Sequence, residues 1–163
     1  MTELQRLRGD HADAVLAFEL ENRAYFAASI TDRGDEFFDH FGEQHDALLG
    51  AQEAATAAFH VLVAEDGRVL GRFNLRFAGP GTAELGYRVA EDVAGQGVAT
   101  AAVQDLCRLA VSRYGLRMLR AATSTDNVAS QRVLLKAGFI PAGPADPADI
   151  GGKTGTWYER TLG

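Results

Sequence analysis

The chain has 163 residues, of which 47% are hydrophobic and 23% charged, and its formal net charge is −6. This length predicts one domain, residues 1–163, which can bury a core of its own. The acidic balance argues against a broad nucleic-acid surface, which needs clustered basic charge. The only cysteine, Cys107, cannot form an intramolecular disulfide. Because no apolar run reaches transmembrane length and the first residues lack a signal-peptide core, we expect a cytoplasmic protein without membrane contact.

The first half of the chain predicts a strand, two helical regions and an antiparallel meander. The apolar pattern places them at residues 4–8 (strand), 10–23 and 37–49 (helical regions), and 58–65, 68–78 and 82–89 (strands). Asp66-Gly67 between the first two meander strands is a hairpin signal, because a type I′ turn needs positive φ. Gly42 and Gly50 are the expected breaks in the second helical region.

The second half alternates helices with strands. The pattern predicts helices at residues 98–114 and 127–137, and strands at 116–123, from 139 onward, and at 156–162. Prolines and glycines between residues 141 and 152 indicate a loop. The resulting order, β-α-α-β-β-β-α-β-α-β-β, predicts a mixed α/β (α+β) sheet in a single domain.

The stretch from Tyr87 to Thr100 is the most informative part of the sequence. A β-type segment runs into a turn containing Gly95 and Gly97, and the turn opens directly into an amphipathic helix. This arrangement directs free backbone N–H groups and the positive end of a helix dipole at one point, which suits an anion. A plain turn needing positive φ would contain the same glycines. The stretch is neither a P-loop nor a dinucleotide fingerprint, because it lacks Gly-Lys-Ser/Thr, a third glycine and a distal acidic residue.

Two segments around this turn resemble a known family. The strand Glu84-Leu85-Gly86-Tyr87-Arg88-Val89 precedes the turn, and Asn-x-x-Ser followed by Val-Leu-x-Lys-x-Gly-Phe spans residues 127–139. Together they resemble the GNAT superfamily of N-acetyltransferases. The second segment, with Glu21-Asn22-Arg23, is similar to the branch that acetylates ribosomal-protein N-termini. The resemblance covers most of the chain. It implies a mainly antiparallel sheet of six to seven strands, about four flanking helices, splayed central strands, and acetyl-CoA as acetyl donor.

The resemblance implies that the glycine turn holds the pyrophosphate of coenzyme A and that residues 87–89 pair with its pantetheine arm. Asn127 could bond an arm amide, cap the following helix, or do both. The expected cofactor-binding residues are Tyr87, Arg88, Val89, Gly95, Gln96, Gly97, Val98, Ala99, Thr100 and Asn127. Arg132 and Lys136 could meet the nucleotide phosphates, although a solvated helix face is the simpler interpretation. Ala94 departs from the family, whose phosphate motif usually opens with Gln or Arg.

The expected reaction is direct acyl transfer from a thioester to an amine. An amine must lose a proton to attack, so a base is useful. Glu84 is the first candidate, because several superfamily members place a catalytic glutamate on this strand, and Glu21 and Asp149 are alternatives. Glu84 could equally be a solvent-facing strand residue, depending on the strand register. Many members carry a tyrosine as general acid where this chain has Leu134, so Ser130 would protonate the departing thiolate, unless it makes only a local helix-start bond.

The acceptor is the least determined part of the prediction. An aromatic and acidic region could attract a cation or could simply pack two helices on the sheet; it contains Tyr25, Phe26, Asp32, Asp35, Glu36, Phe37, Phe38, His40 and Phe41. Packing is the favoured interpretation for Phe37 and Phe41. A peptide N-terminal amine is the expected acceptor, and a small-molecule amine or a non-catalytic acyl-CoA-binding module is the alternative. Cys107 is expected in the core, no metal site is expected, and the protein is expected to be a monomer or homodimer.

Overall fold

The computed structural model describes residues 2–163, which form one seven-stranded sheet with helices on both faces. The strands are β1 (Thr2–Arg6), β2 (Ala57–Ala64), β3 (Val69–Phe77), β4 (Thr82–Val89), β5 (Met118–Ser124), β6 (Ile140–Ala145) and β7 (Gly155–Thr161). The helices are α1 (Ala12–Glu21), α2 (Arg23–Ala27), α3 (Asp35–Asp39), α4 (Phe41–Glu53), α5 (Val98–Ser112) and α6 (Val128–Lys136). Short 3₁₀ turns span Gly9–His11, Glu91–Val93 and Pro147–Ile150.

The sheet is mainly antiparallel, as the sequence predicts. Its strand order is β1-β2-β3-β4-β5-β7-β6, and every neighbouring pair is antiparallel except β4 and β5. Gly67, with φ of 87°, makes the predicted turn between β2 and β3. The expected fold class is therefore confirmed.

The two parallel strands separate along their length. β4 and β5 are paired only at Thr82–Met118, Ala83–Leu119 and Glu84–Arg120. β4 continues to Val89 and β5 to Ser124 without further pairing to each other. The unpaired stretch leaves backbone N–H and C=O groups of β4 on a free edge. This confirms the expected splay of the central strands.

Two hydrophobic cores hold the helices on opposite faces. Ala83 and Leu85 of β4 pack with the apolar stripe of α5, including Val103 and Leu106. On the other face, α1, α2 and α4 pack on the sheet through a second core that contains Val15, Phe18, Phe26, Phe41 and Phe59, with α4 on β2 and α1 on β3. Since side chains alternate along a strand, the residues of β4 between Ala83 and Leu85 face the second side.

The end of α1 agrees with prediction, whereas the break in the second helical region does not. α1 ends at Asn22, next to the predicted end at Arg23. The Asn22 side chain donates to the carbonyl of Phe18 and accepts from the N–H of Glu91, and a side chain that competes for backbone groups commonly ends a helix. The second region breaks at His40, which leaves helical φ and ψ. Gly42 and Gly50 do not interrupt α4, so that expectation is wrong. Both lie where an added Cβ would meet nothing, so neither marks a constraint.

Part of the predicted loop between residues 141 and 152 is a strand. β6 pairs with β7 from Ile140 to Ala145, with an irregularity between Pro141 and Gly143. Proline is tolerated because β6 is the edge strand of the sheet and needs no ladder bond on its outer side. Among residues 2–163, no helix has the length and apolar character to cross a bilayer.

Candidate active site

A cavity of about 300 Å³ lies where the free edge of β4 meets the first turns of α5 and α6. The β4 residues in its wall are Tyr87, Arg88 and Val89. The remaining lining residues are Tyr25, Phe26, Ser29, Ile30, Val93, Ala94, Gly95, Gly97, Ala99, Thr100, Asn127, Ala129, Ser130, Arg132, Val133 and Lys136. We call this space the donor cavity, after the acetyl donor that the sequence leads us to expect there.

The glycine turn is shaped for close approach of a ligand. Gly95 and Gly97 have φ of 75° and 76°, and a Cβ on either would meet no atom within 4 Å. Gly97 is the N-cap of α5, and within residues 2–163 no side chain caps this helix. The first N–H groups of α5 therefore have no intrahelical partner and face the cavity with the positive end of the helix dipole. An anionic group fits this end of the cavity.

The other predicted turn residues divide into two groups. Ala99 and Thr100 line the donor cavity, whereas Gln96 and Val98 do not. The Gln96 side chain donates instead to the carbonyl of Asp92, and Val98 packs on the core, so each can contribute only its backbone N–H. Arg132 and Lys136 are exposed, as the solvated-face interpretation expects, and both also line the cavity, where they would bring positive charge.

Tyr87 and Ser130 are joined across the donor cavity. The Tyr87 phenol lies 2.9 Å from the Ser130 hydroxyl, and its ring stacks on Phe73 with centroids 5.8 Å apart. Asn127 caps α6 by accepting from the Ser130 N–H at 3.1 Å, as expected for an N-cap. Burial raises the pKa of Tyr87 to about 12, against a smaller lowering by Ser130, so the phenol is protonated at neutral pH.

Leu134 and Cys107 are both buried core residues. Leu134 is fully buried in the core beneath α6. The hydroxyl of a tyrosine at this position would therefore have to be desolvated. Cys107 lies on the buried stripe of α5, as predicted, and burial raises its thiol pKa. Neither residue lines the donor cavity.

A second cavity, of about 270 Å³, continues along β4 on the face that carries α1 to α4. We call it the acceptor cavity, after the acceptor amine that the sequence leads us to expect. It is lined by Phe59, Asn74, Leu75, Arg76, Glu84, Leu85, Gly86, Ala122, Asp149 and Trp157. β4 residues 84–86 line this space and 87–89 line the donor cavity, so the strand runs from one cavity into the other.

The acceptor cavity brings together two of the three candidate bases. Glu84 lies on the opposite face from the buried Ala83 and Leu85, which resolves its register, and Asp149 reaches the same cavity from the segment before β7. We find no ion pair to Glu84 or Asp149 within residues 2–163. Glu21 instead lines a separate cavity with the β2–β3 turn, which separates it from the other two carboxylates.

A buried charge cluster borders the donor cavity. Glu19 of α1 is 1% exposed and bonds Arg33 at 3.0 Å, Arg72 at 2.8 Å and Arg88 at 3.1 Å. Burial raises the pKa of Glu19, but the charges of Arg33, Arg88 and Arg72 outweigh it and hold this pKa below its usual value. Burial also lowers the pKa of Arg88 to about 10. The cluster was missed by sequence reasoning, because its four members lie on separate elements.

The aromatic and acidic region resolves into packing and local pairs. Phe37 and Phe41 meet edge to face at 5.7 Å, which confirms the packing interpretation. Arg23 pairs with both Asp32 and Asp35 at 2.9 Å, so these two carboxylates already share one cation. Tyr25 and Phe26 line the donor cavity. No cluster of three or more His, Cys, Asp or Glu residues within residues 2–163 is arranged to bind a metal ion.

Comparison with known proteins assigns this chain to a family. A family model described as "Acetyltransferase (GNAT) domain" matches residues 2–140. A Bacillus subtilis (strain 168) relative, "Probable N-acetyltransferase YjcK", is 30% identical over 141 residues, which cover 82% of this chain and 77% of the relative.

Two solved structures share the fold at low sequence identity. The ribosomal-protein-S5-alanine acetyltransferase from Vibrio fischeri has a TM-score of 0.89 and 19% identity, with 99% of this chain and 93% of that chain covered. The spermidine N-acetyltransferase from Vibrio cholerae, solved with CoA and spermine, has a TM-score of 0.80 and 14% identity, with 99% and 95% covered.

The splayed sheet with a glycine turn at its opening defines a GNAT-type fold. The chain belongs to the GNAT acetyltransferase family and is an N-acetyltransferase. The two solved neighbours are named for different acceptors, a ribosomal protein and spermidine, so they agree on the reaction class and differ in the acceptor.

Proposed function

We propose that this enzyme transfers the acetyl group directly from acetyl-CoA to the N-terminal α-amine of a protein or peptide. One observation carries the proposal: β4 runs continuously from the donor cavity to a carboxylate-bearing acceptor cavity, with the Tyr87–Ser130 pair at the junction. Residues 1–163 would act as one domain, since β7, beyond the matched residues 2–140, joins the same sheet and supplies Trp157 to the acceptor cavity.

Acetyl-CoA would lie along the donor cavity. The backbone N–H groups of residues 95–100 would bind its pyrophosphate, and Arg132 and Lys136 would supply the charge that Ala94 cannot. The free edge of β4 at residues 87–89 offers N–H and C=O groups with which the amides of the pantetheine arm can pair like an added strand. The side-chain amide of Asn127 lies at the same edge of the cavity.

Acetyl transfer needs a proton at the leaving sulfur. The amine nitrogen attacks the thioester carbonyl carbon, the new C–N bond forms, and the C–S bond breaks with its electron pair on sulfur. Ser130 would donate its hydroxyl proton to that thiolate, and the neutral Tyr87 phenol would return a proton to Ser130. A backbone N–H near Tyr87 or Arg88 would stabilise the oxyanion that forms between these steps.

The amine must also lose a proton, and Glu84 is the proposed base. It lies two residues before Gly86, a distance of about 7 Å along the strand, so its carboxylate can reach an amine there directly or through one water. Asp149 shares the acceptor cavity and is the alternative base. Within residues 2–163 no ion pair engages either carboxylate, so both side chains are available to contact the acceptor amine.

Charge near the junction favours a peptide amine over a polyamine. Arg72 and Arg88 face each other across β3 and β4, next to the pair Asn74–Gly86, and with Arg33 they share the single carboxylate of Glu19. This positive excess would oppose a polycation that extends past Gly86 towards Arg88, whereas the single amine of a peptide N-terminus would meet only the carboxylates of Glu84 and Asp149 in the acceptor cavity.

A thiol-release assay with an amine panel tests this proposal. The panel contains Ala- and Ser-terminated peptide amides, the same peptides with blocked α-amines and an internal lysine, spermidine, a free amino acid and an aminoglycoside. We expect kcat/KM for the free α-amines to exceed that of every other amine by about tenfold or more, the scale of a single lost polar contact. Preference for spermidine or the aminoglycoside would support a small-molecule acetyltransferase, and acetyl-CoA binding without turnover of any amine would support a non-catalytic module.

A further inference from the structure

Asn74 lies on β3 directly opposite Gly86 and lines the acceptor cavity. The Oδ1 atom of its side chain is buried and has no hydrogen-bond partner within residues 2–163. Buried polar atoms are nearly always bonded, so each exception needs an explanation. Two other side-chain atoms share this state, Nδ1 of His45 and Nδ1 of His60, and neither histidine lines one of the three cavities. Asn74 is therefore the described residue at which an unpaired buried atom and a cavity coincide.

The surroundings of Asn74 suit the backbone of an extended ligand. Gly86 is exposed, and a Cβ added there would meet no atom within 4 Å, so chain can pass close to β4 at this point. The residues on either side of the Asn74–Gly86 pair are charged, with Arg72 opposite Arg88 and Arg76 opposite Glu84. A neutral amide between two charged pairs can recognise a neutral polar group of the ligand, such as a peptide N–H.

We infer that Asn74 binds the first peptide group of the acceptor, so that the enzyme is selective for amines followed by an amide. The Asn74 carbonyl oxygen accepts a hydrogen bond from the N–H that joins the first and second acceptor residues. That N–H is one residue, about 3.6 Å, from the α-amine. An acceptor held at Asn74 thus directs its amine along β4 towards Tyr87, where the donor cavity begins. The inference rests on the proposed function and names the acceptor class as peptides with a free α-amine.

A matched substrate pair tests this contact. The first substrate is the peptide amide Ala-Ala-Ala, and the second is the same molecule with an ester oxygen in place of the N–H between residues one and two. Wild-type kcat/KM for the amide should exceed that for the ester by about tenfold. Asn74→Ala should lower kcat/KM for the amide by a similar factor and leave the ester unchanged. The amine pKa differs between the two substrates, but this difference is the same for both proteins. Comparing the amide-to-ester ratio of kcat/KM in the wild type with that in Asn74→Ala therefore cancels it.

Control variants separate this contact from general disruption of the cavity. Arg76→Ala changes the same strand and the same cavity, and it should keep the amide-to-ester ratio of the wild type. Asn74→Ala should retain the wild-type affinity for acetyl-CoA, which reports on folding. Equal kcat/KM values for amide and ester in the wild type, or an undiminished amide-to-ester ratio in Asn74→Ala, would overturn the role of Asn74. Neither result would overturn the proposed function. Failure of the wild type to acetylate either molecule would overturn the proposed function as well.

Discussion

The phenol of Tyr87 on β4 and the hydroxyl of Ser130 on the first turn of α6 form a hydrogen bond of 2.9 Å. It joins two of the elements that border the donor cavity, and the Ser130 backbone is fixed at the same time by Asn127. In the proposed reaction this bond would let the Tyr87 phenol return a proton to Ser130. The Tyr87 phenol also places a hydroxyl at this end of the cavity, which Leu134, buried in the core, cannot do.

Removal of the Tyr87 hydroxyl should slow the reaction without weakening donor binding. We expect Tyr87→Phe to lower kcat by about 10²-fold, the smaller end of the effect of a positioned proton donor. The phenyl ring keeps its stacking on Phe73, so the KM for acetyl-CoA should stay at the wild-type value. Steady-state kinetics of thiol release measure both quantities.

The double variant distinguishes a proton relay from independent effects. If Tyr87 acts through Ser130, then Tyr87→Phe combined with Ser130→Ala should be little slower than Ser130→Ala alone, because residues that act as a unit are not additive. Fully additive losses in kcat would show that Tyr87 has a separate role.

A negative side chain in the glycine turn should prevent donor binding. Gly97→Glu places bulk and charge where the pyrophosphate is expected, at a residue with φ of 76° and open space around it. We expect acetyl-CoA binding, measured by calorimetry, to become undetectable. Gly115→Glu is the matched control, because Gly115 has φ of 62° and open space at the other end of α5 and should leave the affinity unchanged. Wild-type affinity in Gly97→Glu would place the pyrophosphate elsewhere.

Loss of the proposed base should make the rate more dependent on pH. Glu84→Gln should lower kcat/KM by about 10²-fold near pH 7, with a smaller deficit as the pH passes the α-amine pKa of about 8. Glu21→Gln, in a separate cavity, should follow the wild-type profile throughout. A wild-type profile in Glu84→Gln, together with a deficit in Asp149→Asn, would assign the base to Asp149.

Neutralising Glu19 should destabilise the fold. Glu19→Gln keeps the shape but leaves Arg72 and Arg88 buried without a carboxylate, and removing one partner of a buried ion pair costs about 3 kcal/mol or more. Urea unfolding measures this change. Asp10→Asn, which breaks the exposed Arg8–Asp10 pair, should change the free energy of unfolding by less than about 1 kcal/mol. Equal effects of the two variants would show that the cluster adds little stability.

His60 should make stability fall as the pH drops below neutral. Burial lowers its pKa from 6.5 to about 4 in the folded protein. Below pH 6.5 the unfolded chain binds a proton at His60 while the folded protein does not, so stability present above 6.5 is lost progressively towards pH 4. This difference corresponds to about 3 kcal/mol at 1.36 kcal/mol per pH unit.

Urea unfolding between pH 7 and pH 4 measures the His60 contribution. His60→Gln should flatten most of the pH dependence, with a smaller remainder from His11, whose pKa burial also lowers. The lowered pKa of Glu19 makes its stabilisation fade only below its usual value of 4.5, outside most of this range. An unchanged slope in His60→Gln would refute the assignment.

Local sequence signals placed most of the residues that line the donor cavity. Positive-φ glycines, the 3.6-residue period of α5 and the Asn127 cap are each encoded within a few residues, so Gly97, Thr100 and Asn127 could be assigned without long-range contacts. The break in the second helical region was mispredicted, because it falls at His40, which leaves helical φ and ψ, and not at Gly42 or Gly50.

Features that depend on strand register could not be predicted in the same way. The side of the sheet on which Glu84 lies follows from which neighbours are buried, and the Tyr87–Ser130 bond joins residues 43 positions apart in the chain. One signal of the site was present in the sequence. In the central strands β3 and β4, polar residues alternate with apolar ones: Arg72 and Asn74 lie on β3, and Glu84 and Arg88 on β4. Polar residues on an interior sheet face indicate a site rather than a packed core.

A structure of the enzyme with coenzyme A bound tests the central claim most directly. The model of catalysis predicts pyrophosphate oxygens within about 3 Å of the N–H groups of residues 95–100. It also predicts that the sulfur lies beside Ser130 and Tyr87, with the acceptor cavity and Glu84 open on its other side. A pyrophosphate away from the glycine turn, or a sulfur directed away from the Glu84 cavity, would contradict it.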